Sequence, residues 1–140
     1  MTAPGGLELS QLIKSMKPTL ADGIYVFATI SPQSEILGRL VLGRVEMLCR
    51  EDKGWTLVVP QAVAIELELE SIFPCRKITL DVHSSLEAVG FLAAVTNRLA
   101  DKLKIGVNPV SGYYHDHLYV PAGKEELVVE ELKRMAAEQQ

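Results

Sequence analysis

Residues 78–91 read ITLDVHSSLEAVGF and decide the fold of the second half of this chain. Apolar and polar residues alternate over residues 78–83, which is the period of a half-buried β-strand. Ser84 and Glu87 then show the S-x-x-E spacing of a capping box, in which the two residues satisfy each other's backbone N–H groups at a helix start. The pattern predicts a strand followed at once by a helix. Gly90 falls in the first turn of that helix, where it costs about 1 kcal/mol relative to alanine and indicates close approach by a backbone or a ligand.

The elements after this point give the second half its order. The helix continues as an apolar stripe to Leu103, residues 107–113 and 117–120 form a hairpin, and residues 124–138 form a last helix with Leu127 among its core positions. Pro109 lacks a backbone N–H, so its strand lies at a sheet edge or carries a bulge. The order β-α-β-β-α is the ferredoxin-like βαββαβ order without its final strand. The first half can supply that strand, or its own helix, by exchange.

The first half also predicts an α+β arrangement, without the parallel alternation of a dinucleotide-binding fold. Its predicted elements are a helix over 7–16, a turn at 21–23, a strand over 23–30, a loop over 31–44, a hairpin of 45–50 with 55–59, a helix over 61–70 and a linker over 71–75. In the strand over 23–30, Ile24, Val26, Ala28 and Ile30 share one face, and Tyr25, Phe27 and Thr29 share the other. The fourteen-residue loop is longer than most connections in a compact domain.

Composition excludes several classes of function. The chain of 140 residues has a formal charge of −4 and no basic block, so we expect no nucleic-acid partner. No apolar run approaches the ~20 residues of a membrane helix, so we expect no membrane partner. Residues 1–8 read as a disordered lead without a secretory signal. Cys49 and Cys75 are far apart and share no CxxC pattern, which favours two buried thiols in a reducing, cytoplasmic location over a disulfide or a metal pair.

Four stretches together resemble the small tandem ACT-domain proteins. They are HSSLEAVGFLAAV at 83–95, YYHDHLYVP at 113–121, GIYVFATI at 23–30 and REDKGWTLVVP at 50–60. The chain is also similar to the paired ACT modules of aspartate kinases. The resemblance implies two ferredoxin-like halves, 9–72 and 73–140, with antiparallel sheets and helices on one sheet face. It implies a module that binds amino acids or other small effectors at interfaces between domains. The stretch VNPV at 107–110 departs from the family, because a strand without proline is expected there.

The predicted ligand site joins the strand-to-helix junction to the hairpin. Free backbone amides at a helix start favour a ligand carboxylate, and an acidic side chain would hold an ammonium group. Capping alone explains Ser84 and Glu87 equally well. The candidate ligand-binding residues are His83, Ser84, Ser85, Leu86, Glu87, Gly90, Val110, Ser111, Tyr113, Tyr114, His115, Asp116 and His117.

These residues are also compatible with a metal site, a catalytic site or a protein–protein interaction surface. The sequence His115-Asp116-His117 contains zinc-type ligands, but H-x-H alone is a weak signal and a hydrogen-bonded turn is favoured, so no metal and no cofactor are predicted. Histidine with aspartate and tyrosine can do acid–base chemistry, yet no nucleophile or phosphate-loop motif accompanies them. A small enzyme of unknown reaction and a protein–protein interaction module therefore remain alternatives to a regulatory module. Tyr25 and Phe27, on an open sheet face, predict a homodimer.

Overall fold

The computed structural model describes residues 8–139 and divides them into two compact units. The insert unit is Gly23–Cys75, and the outer unit contains the described residues up to Asp22 and from Arg76 onward. The units therefore change after Asp22 and again after Cys75, whereas the sequence predicts a single boundary between residues 72 and 73. The difference arises because the first helix and the first strand belong with the second half of the chain. The predicted lead over 1–8 lies outside the described residues except for Glu8, whose carboxylate accepts a 2.8 Å hydrogen bond from the Gln11 N–H and caps the first helix.

Four helices and seven strands make up the described chain. In order they are α1 (Leu9–Ser15), β1 (Lys17–Leu20), β2 (Tyr25–Ile30), β3 (Met47–Glu51), β4 (Gly54–Pro60), α2 (Gln61–Glu66), β5 (Glu70–Asp81), α3 (Phe91–Leu103), β6 (Asn108–Ser111), β7 (Asp116–Pro121) and α4 (Glu125–Ala137).

The insert unit is an antiparallel sheet in the order β3-β4-β2-β5, using the first half of β5. The predicted inward face of β2 is confirmed at Val26, Ala28 and Ile30, which are buried against Leu57, Val59 and helix α2. Ile24 is the exception: it is exposed and precedes the strand. Strand order and connections are those of a βαββαβ unit in which α2 is the only α-helix.

The predicted long loop occupies the place of the missing first helix of the insert unit. It contains two 3₁₀ turns, Glu35–Arg39 and Leu42–Arg44, each including the sequence Leu-Gly-Arg. A glycine in each turn costs helix stability, and 3₁₀ segments are short because their hydrogen-bond geometry is poor. Arg44 fixes the second turn by a two-pronged ion pair of 2.8 and 3.1 Å with Glu66 of α2.

The predicted linker Ser71–Cys75 is wrong, because these residues are part of strand β5. Tyr25 pairs with Cys75 and Phe27 pairs with Ile72, so Phe73 and Pro74 together stand opposite a single residue of β2. This is a β-bulge, and Phe73 sits there at φ +59°. A bulge tolerates proline because the missing N–H is not needed for the ladder. The helix predicted over 61–70 correspondingly ends at Glu66.

The outer unit is a second ferredoxin-like sheet, in the order β1-β5-β7-β6. Strand β1 pairs with the second half of β5, from Lys17 opposite Asp81 to Leu20 opposite Ile78. It takes the edge that the last strand of a βαββαβ unit would take, so the strand missing from the second half comes from the start of the chain. Pro109 lies in β6 at the other edge, as predicted.

Three helices cover the core of the outer unit. Leu12, Ile13 and Met16 around α1 pack with the buried stripes of α3 and α4, which are Phe91, Val95, Leu99, Val128, Leu132 and Met135. Leu127, predicted as a core position of α4, is instead exposed. Helices α3 and α4 are also tied by charge, since the Arg98 Nε donates a 2.6 Å hydrogen bond to the buried Glu131 carboxylate.

The two cysteines are both free thiols. Cys75 is buried as predicted, whereas Cys49 is exposed because it lies on β3, the edge strand of its sheet. None of the helices within residues 8–139 combines the length and the apolar character needed to span a membrane.

Candidate ligand-binding site

The segment between β5 and α3 is a turn, so the predicted capping box is wrong. The Ser85 Oγ accepts a 3.0 Å hydrogen bond from the Glu87 N–H, and the Ser85 carbonyl accepts one of 3.0 Å from the Ala88 N–H. Serine side chains commonly bond the backbone in this way, and the turn competes with helix formation. Glu87 therefore caps no helix here.

Helix α3 starts at Phe91, and Gly90 is its N-cap. Gly90 has φ +90°, a conformation that residues with a Cβ rarely adopt, and this backbone reversal prevents the helix from extending back to Ser84. An added Cβ would lie 3.7 Å from the nearest atom, so the glycine serves backbone geometry and not the predicted close approach. No side chain caps this helix end. Its first N–H groups, which have no intrahelical partner, are left without a capping side chain.

The turn of the β6–β7 hairpin lies on the other side of the site. Ser111 and Asp116 are paired across the hairpin, and the Ser111 Oγ donates a 2.6 Å hydrogen bond to Asp116 Oδ1. Asp116 is a buried carboxylate. At Gly112, whose N–H donates to the His115 carbonyl at 2.9 Å, a Cβ would lie 3.1 Å from that same oxygen. Glycine therefore keeps this turn tight.

A cavity of about 70 Å³ joins the two segments and the start of α3. Five predicted residues line it: Ser84, Ser85, Leu86, Ser111 and Asp116. Four lining residues were not predicted: Ala88, Phe91, Leu92 and Gly112. Ala88, Phe91 and Leu92 belong to the apolar stripe of the predicted helix, which indicates core positions. For Gly112, the available signal is a glycine beside a hairpin turn.

Two of the three histidines predicted for the site, His115 and His117, contact strand β5 or the residue directly after it and do not line the cavity. The His115 Nδ1–H donates to the Val82 carbonyl at 3.2 Å, and His115 Nε2 lies 3.6 Å from Asp81 Oδ1. The His117 Nδ1 and Thr79 Oγ1 share a 2.9 Å hydrogen bond. These contacts place both rings as part of the hairpin's attachment to β5.

The remaining predicted residues also lie outside the cavity lining. They are His83, Glu87, Gly90, Val110, Tyr113 and Tyr114. Tyr113 and Tyr114 are exposed, with ring centroids 4.9 Å apart in an edge-to-face arrangement. Within residues 8–139, no group of three or more histidine, cysteine or acidic side chains is placed to hold a metal ion.

A second, wider cavity of about 360 Å³ lies on the outer sheet face of the insert unit. Phe27 and Ile72 supply apolar surface, and the Thr56 hydroxyl donates to Glu51 at its rim. The residues lining this cavity lie on neighbouring strands of an open sheet, whereas the smaller cavity of the outer unit gathers a buried carboxylate, three serines and a helix start.

Comparison with known proteins identifies the family. A search of curated proteins returned no match. The model of the ACT domain matches residues 4–76. A crystal structure of a Vibrio cholerae protein of unknown function, described as a possible transport protein, is 38% identical with a TM-score of 0.79, covering 91% of this chain and 95% of that one.

More distant structures share the fold. The regulatory subunit of Thermus thermophilus aspartate kinase, in its ligand-free form, is 13% identical with a TM-score of 0.61, covering 84% of this chain and 95% of that one. Escherichia coli aspartokinase III, in complex with aspartate and ADP, is 15% identical with a TM-score of 0.61, covering 84% of this chain and 32% of that one. ACT domains as a class are regulatory ligand-binding modules. With the family model covering half of the sequence and a relative 38% identical over nearly its full length, this chain belongs to the ACT-domain family.

Proposed function

We propose that this protein is a non-catalytic regulatory or sensor module that binds an amino acid or a similar small metabolite. The observation that carries the proposal is the buried Asp116 carboxylate, which lines the same cavity as the uncapped first turn of α3. The cavity lining thus offers both a negative group and a helix start with free N–H donors, and a zwitterion has complementary charges.

The proposed binding mode follows from these two features. The ligand carboxylate lies toward the start of α3, where backbone N–H groups and the helix dipole favour an anion and the Ser84 and Ser85 hydroxyls supply further donors. The ligand ammonium lies toward Asp116. A charge-assisted hydrogen bond of this kind contributes about 1.5–3 kcal/mol.

The size of the cavity supports binding at an interface between ACT modules. Sites that enclose small molecules usually have about 300–1,000 Å³, whereas this cavity has about 70 Å³. It has room for a head group, and the rest of the ligand extends out of it. A second ACT module covering the mouth would complete the site, and the aspartate-bound aspartokinase III is a fold relative crystallised with an amino acid.

The second module is proposed to come from a homodimer. In the insert unit, Ile72 is 71% exposed on the outer sheet face, next to Phe27 and its edge-to-face partner Phe73. Exposed apolar patches of this kind typically mark protein interfaces. A cytoplasmic location is part of the proposal, since the free thiols Cys49 and Cys75 suit a reducing compartment.

The dimer is tested by sedimentation velocity of the full chain. The wild-type protein is expected to sediment as a dimer at micromolar concentration, and Ile72→Lys as a folded monomer, because a charge in an apolar interface is costly. Ile65→Lys is the matched control, since Ile65 is equally exposed, at 72%, on the opposite, helix-covered side of the same sheet. A monomeric wild-type protein contradicts the dimer.

Ligand binding is tested by a thermal-shift screen over the amino acids, followed by calorimetric titration of each hit. A ligand at 100 times its Kd adds about 2.7 kcal/mol to the free energy of unfolding. Asp116→Asn keeps the side-chain shape but removes the charge, and we expect its affinity to fall at least tenfold. Asp81→Asn is the control, because Asp81 is exposed and does not line the cavity. A screen without a single hit, or equal affinity in both variants, argues against the proposal.

A catalytic role is not favoured by the same geometry. His115 Nδ1 bonds the Val82 carbonyl, His117 Nδ1 bonds Thr79 of β5, and neither histidine lines the cavity, which does not favour either of them as a general base there.

A further inference from the structure

The two segments that line the small cavity also carry exposed apolar side chains. Leu86 is 68% exposed and itself lines the cavity, and Val89, between the lining residues Ala88 and Phe91, is 86% exposed. Tyr113 directly follows the lining residue Gly112, and the ring of Tyr114 packs against the ring of Tyr113. We refer to Leu86, Val89, Tyr113 and Tyr114 as the apolar collar.

Most of the exposed large apolar side chains among the described residues of the outer unit belong to the collar. Among the described residues of the outer unit, six large apolar side chains are exposed, and all but Leu9 and Leu127 belong to the collar. Isolated exposed apolar residues are normal, whereas neighbouring ones beside a polar cavity indicate surface that is covered in the functional state.

Local hydrogen bonds hold the collar in place without a ligand. The Ser84 N–H donates to the Val82 carbonyl at 2.9 Å and the Ala88 N–H to the Ser85 carbonyl at 3.0 Å, so the turn that presents Leu86 is closed at both ends. On the hairpin, the 2.9 Å bond from the Gly112 N–H to the His115 carbonyl closes the turn that presents both tyrosines. A preformed apolar surface costs a ligand little ordering entropy.

Charge is sparse on the same segments. Residues 84–91 contain one charged side chain, Glu87, which does not line the cavity, and residues 111–114 contain none. A charged ligand side chain extending from the cavity would lose hydration against leucine, valine and tyrosine. The acidic side chain in the lining, Asp116, does not offset that loss, because the proposed binding mode uses it for the ligand ammonium.

We propose that the ligand is an amino acid with a large apolar side chain, whose polar head group occupies the cavity and whose side chain packs on the collar. The inference rests on the proposed function and specifies the ligand class for that same site. Branched aliphatic and aromatic side chains fit this description, and acidic or basic ones do not.

Matched ligand pairs test the choice of side chain by calorimetric titration of the full chain. L-norleucine and L-lysine share a four-carbon side chain and differ in the terminal charge, and L-leucine and L-aspartate have similar branched shapes. We expect norleucine and leucine to bind at least tenfold more tightly than their charged counterparts. Each methylene that is fully covered strengthens binding about fourfold, so leucine is also expected to bind at least tenfold more tightly than alanine.

Collar variants separate this inference from binding as such. Leu86→Ser and Val89→Ser are both expected to weaken leucine binding at least fivefold. Val89 does not line the cavity, so Val89→Ser is expected to leave alanine binding unchanged, because the alanine methyl group does not reach it. Ile65→Ser is the control, since Ile65 is as exposed as Leu86 but lies on α2 of the insert unit. Thermal unfolding of each variant verifies the fold.

The outcomes are distinguishable. If amino acids bind, but lysine binds as well as norleucine or the collar variants bind leucine normally, the apolar ligand class is wrong while the proposed function stands. If no amino acid binds at all, the proposed function itself fails, and this inference fails with it.

Discussion

The Ser111 hydroxyl donates a 2.6 Å hydrogen bond to Oδ1 of Asp116, and the two residues face each other across the β6–β7 hairpin. Asp116 is 8% exposed, so this bond supports a carboxylate that has little access to water. The hairpin thereby fixes the acidic group that we assign to ligand binding before any ligand arrives.

Ser111→Ala removes that donor and is expected to lower the free energy of unfolding by about 1.5–3 kcal/mol, the usual worth of a hydrogen bond to a charged group. Urea unfolding at pH 7 measures the change. Ser31→Ala is the control, because the Ser31 hydroxyl bonds only the exposed Gln33 side chain and its N–H. A change below about 0.5 kcal/mol at Ser111 means that water replaces the lost donor.

Gly90→Ala tests the positive φ at the start of α3. We expect a loss of about 1–2 kcal/mol in unfolding free energy, since a left-handed backbone penalises any Cβ. Space is not the cause, because the nearest atom to that Cβ is 3.7 Å away. Gly90→Asn should lose less, as asparagine tolerates this conformation better. Gly38→Ala, in a 3₁₀ turn without positive φ, is expected to be neutral or slightly stabilising; equal losses at both glycines contradict the assignment.

Glu131→Gln tests the link between α3 and α4. The hydrogen bond from Arg98 is the main cause that lowers the pKa of Glu131. A lowered folded-state pKa means that the ionised carboxylate adds stability above the unfolded-state pKa, about 4.3, and that this stability is lost as the pH falls through the folded-state value.

We therefore expect Glu131→Gln to lower the Tm at pH 7 and the difference from wild type to shrink as the pH falls below about 4. Scanning calorimetry across this range measures it. Glu130→Gln is the control on the same helix. Glu130 is exposed, and its carboxylate lies 4.0 Å from the Lys133 ammonium, which is a long and weak ion pair. A Tm difference that stays constant down to acidic pH contradicts a role for the Glu131 charge.

The two thiols should differ in reactivity. Burial raises the pKa of Cys75 to about 11, and its Sγ donates to the Tyr25 carbonyl at 3.3 Å. Since the thiolate is the reactive form, native protein at pH 8 should react rapidly with a disulfide reagent at Cys49 alone. Two thiols should react after denaturation. Cys49→Ser removes the rapid phase, and rapid labelling of that variant contradicts the burial of Cys75.

Periodic features could be predicted from the sequence. The stripes of α3 and α4, both hairpins and the edge position of Pro109 follow from hydrophobic period and turn chemistry, which are local properties. Resemblance to the ACT family supplied the ferredoxin-like fold and the regulatory class. It also pointed to the two segments that meet at the cavity.

The wrong predictions arise where the same local sequence pattern is compatible with two different structures. Ser84 and Glu87 fit a capping box, but Gly90 sets a positive φ that starts the helix later. Pro74 suggests a linker, but a bulge in β5 accommodates it. The strand β1 was missed because Lys17-Pro18 reads as a helix stop, and only pairing with a strand sixty residues away makes it a strand. That pairing is tertiary and leaves no periodic trace in four residues.

The outer unit is built from two separate stretches of the chain, and this sets the timing of its assembly during synthesis. Residues 23–75 are contiguous, so the whole insert unit is available once Cys75 has left the ribosome, whereas α1 and β1 must wait for the residues from Arg76 onward. At 5–20 residues per second this delay lasts on the order of several seconds. During that interval Leu12, Ile13 and Met16 have no core to enter, because the residues they pack against have not yet been synthesised.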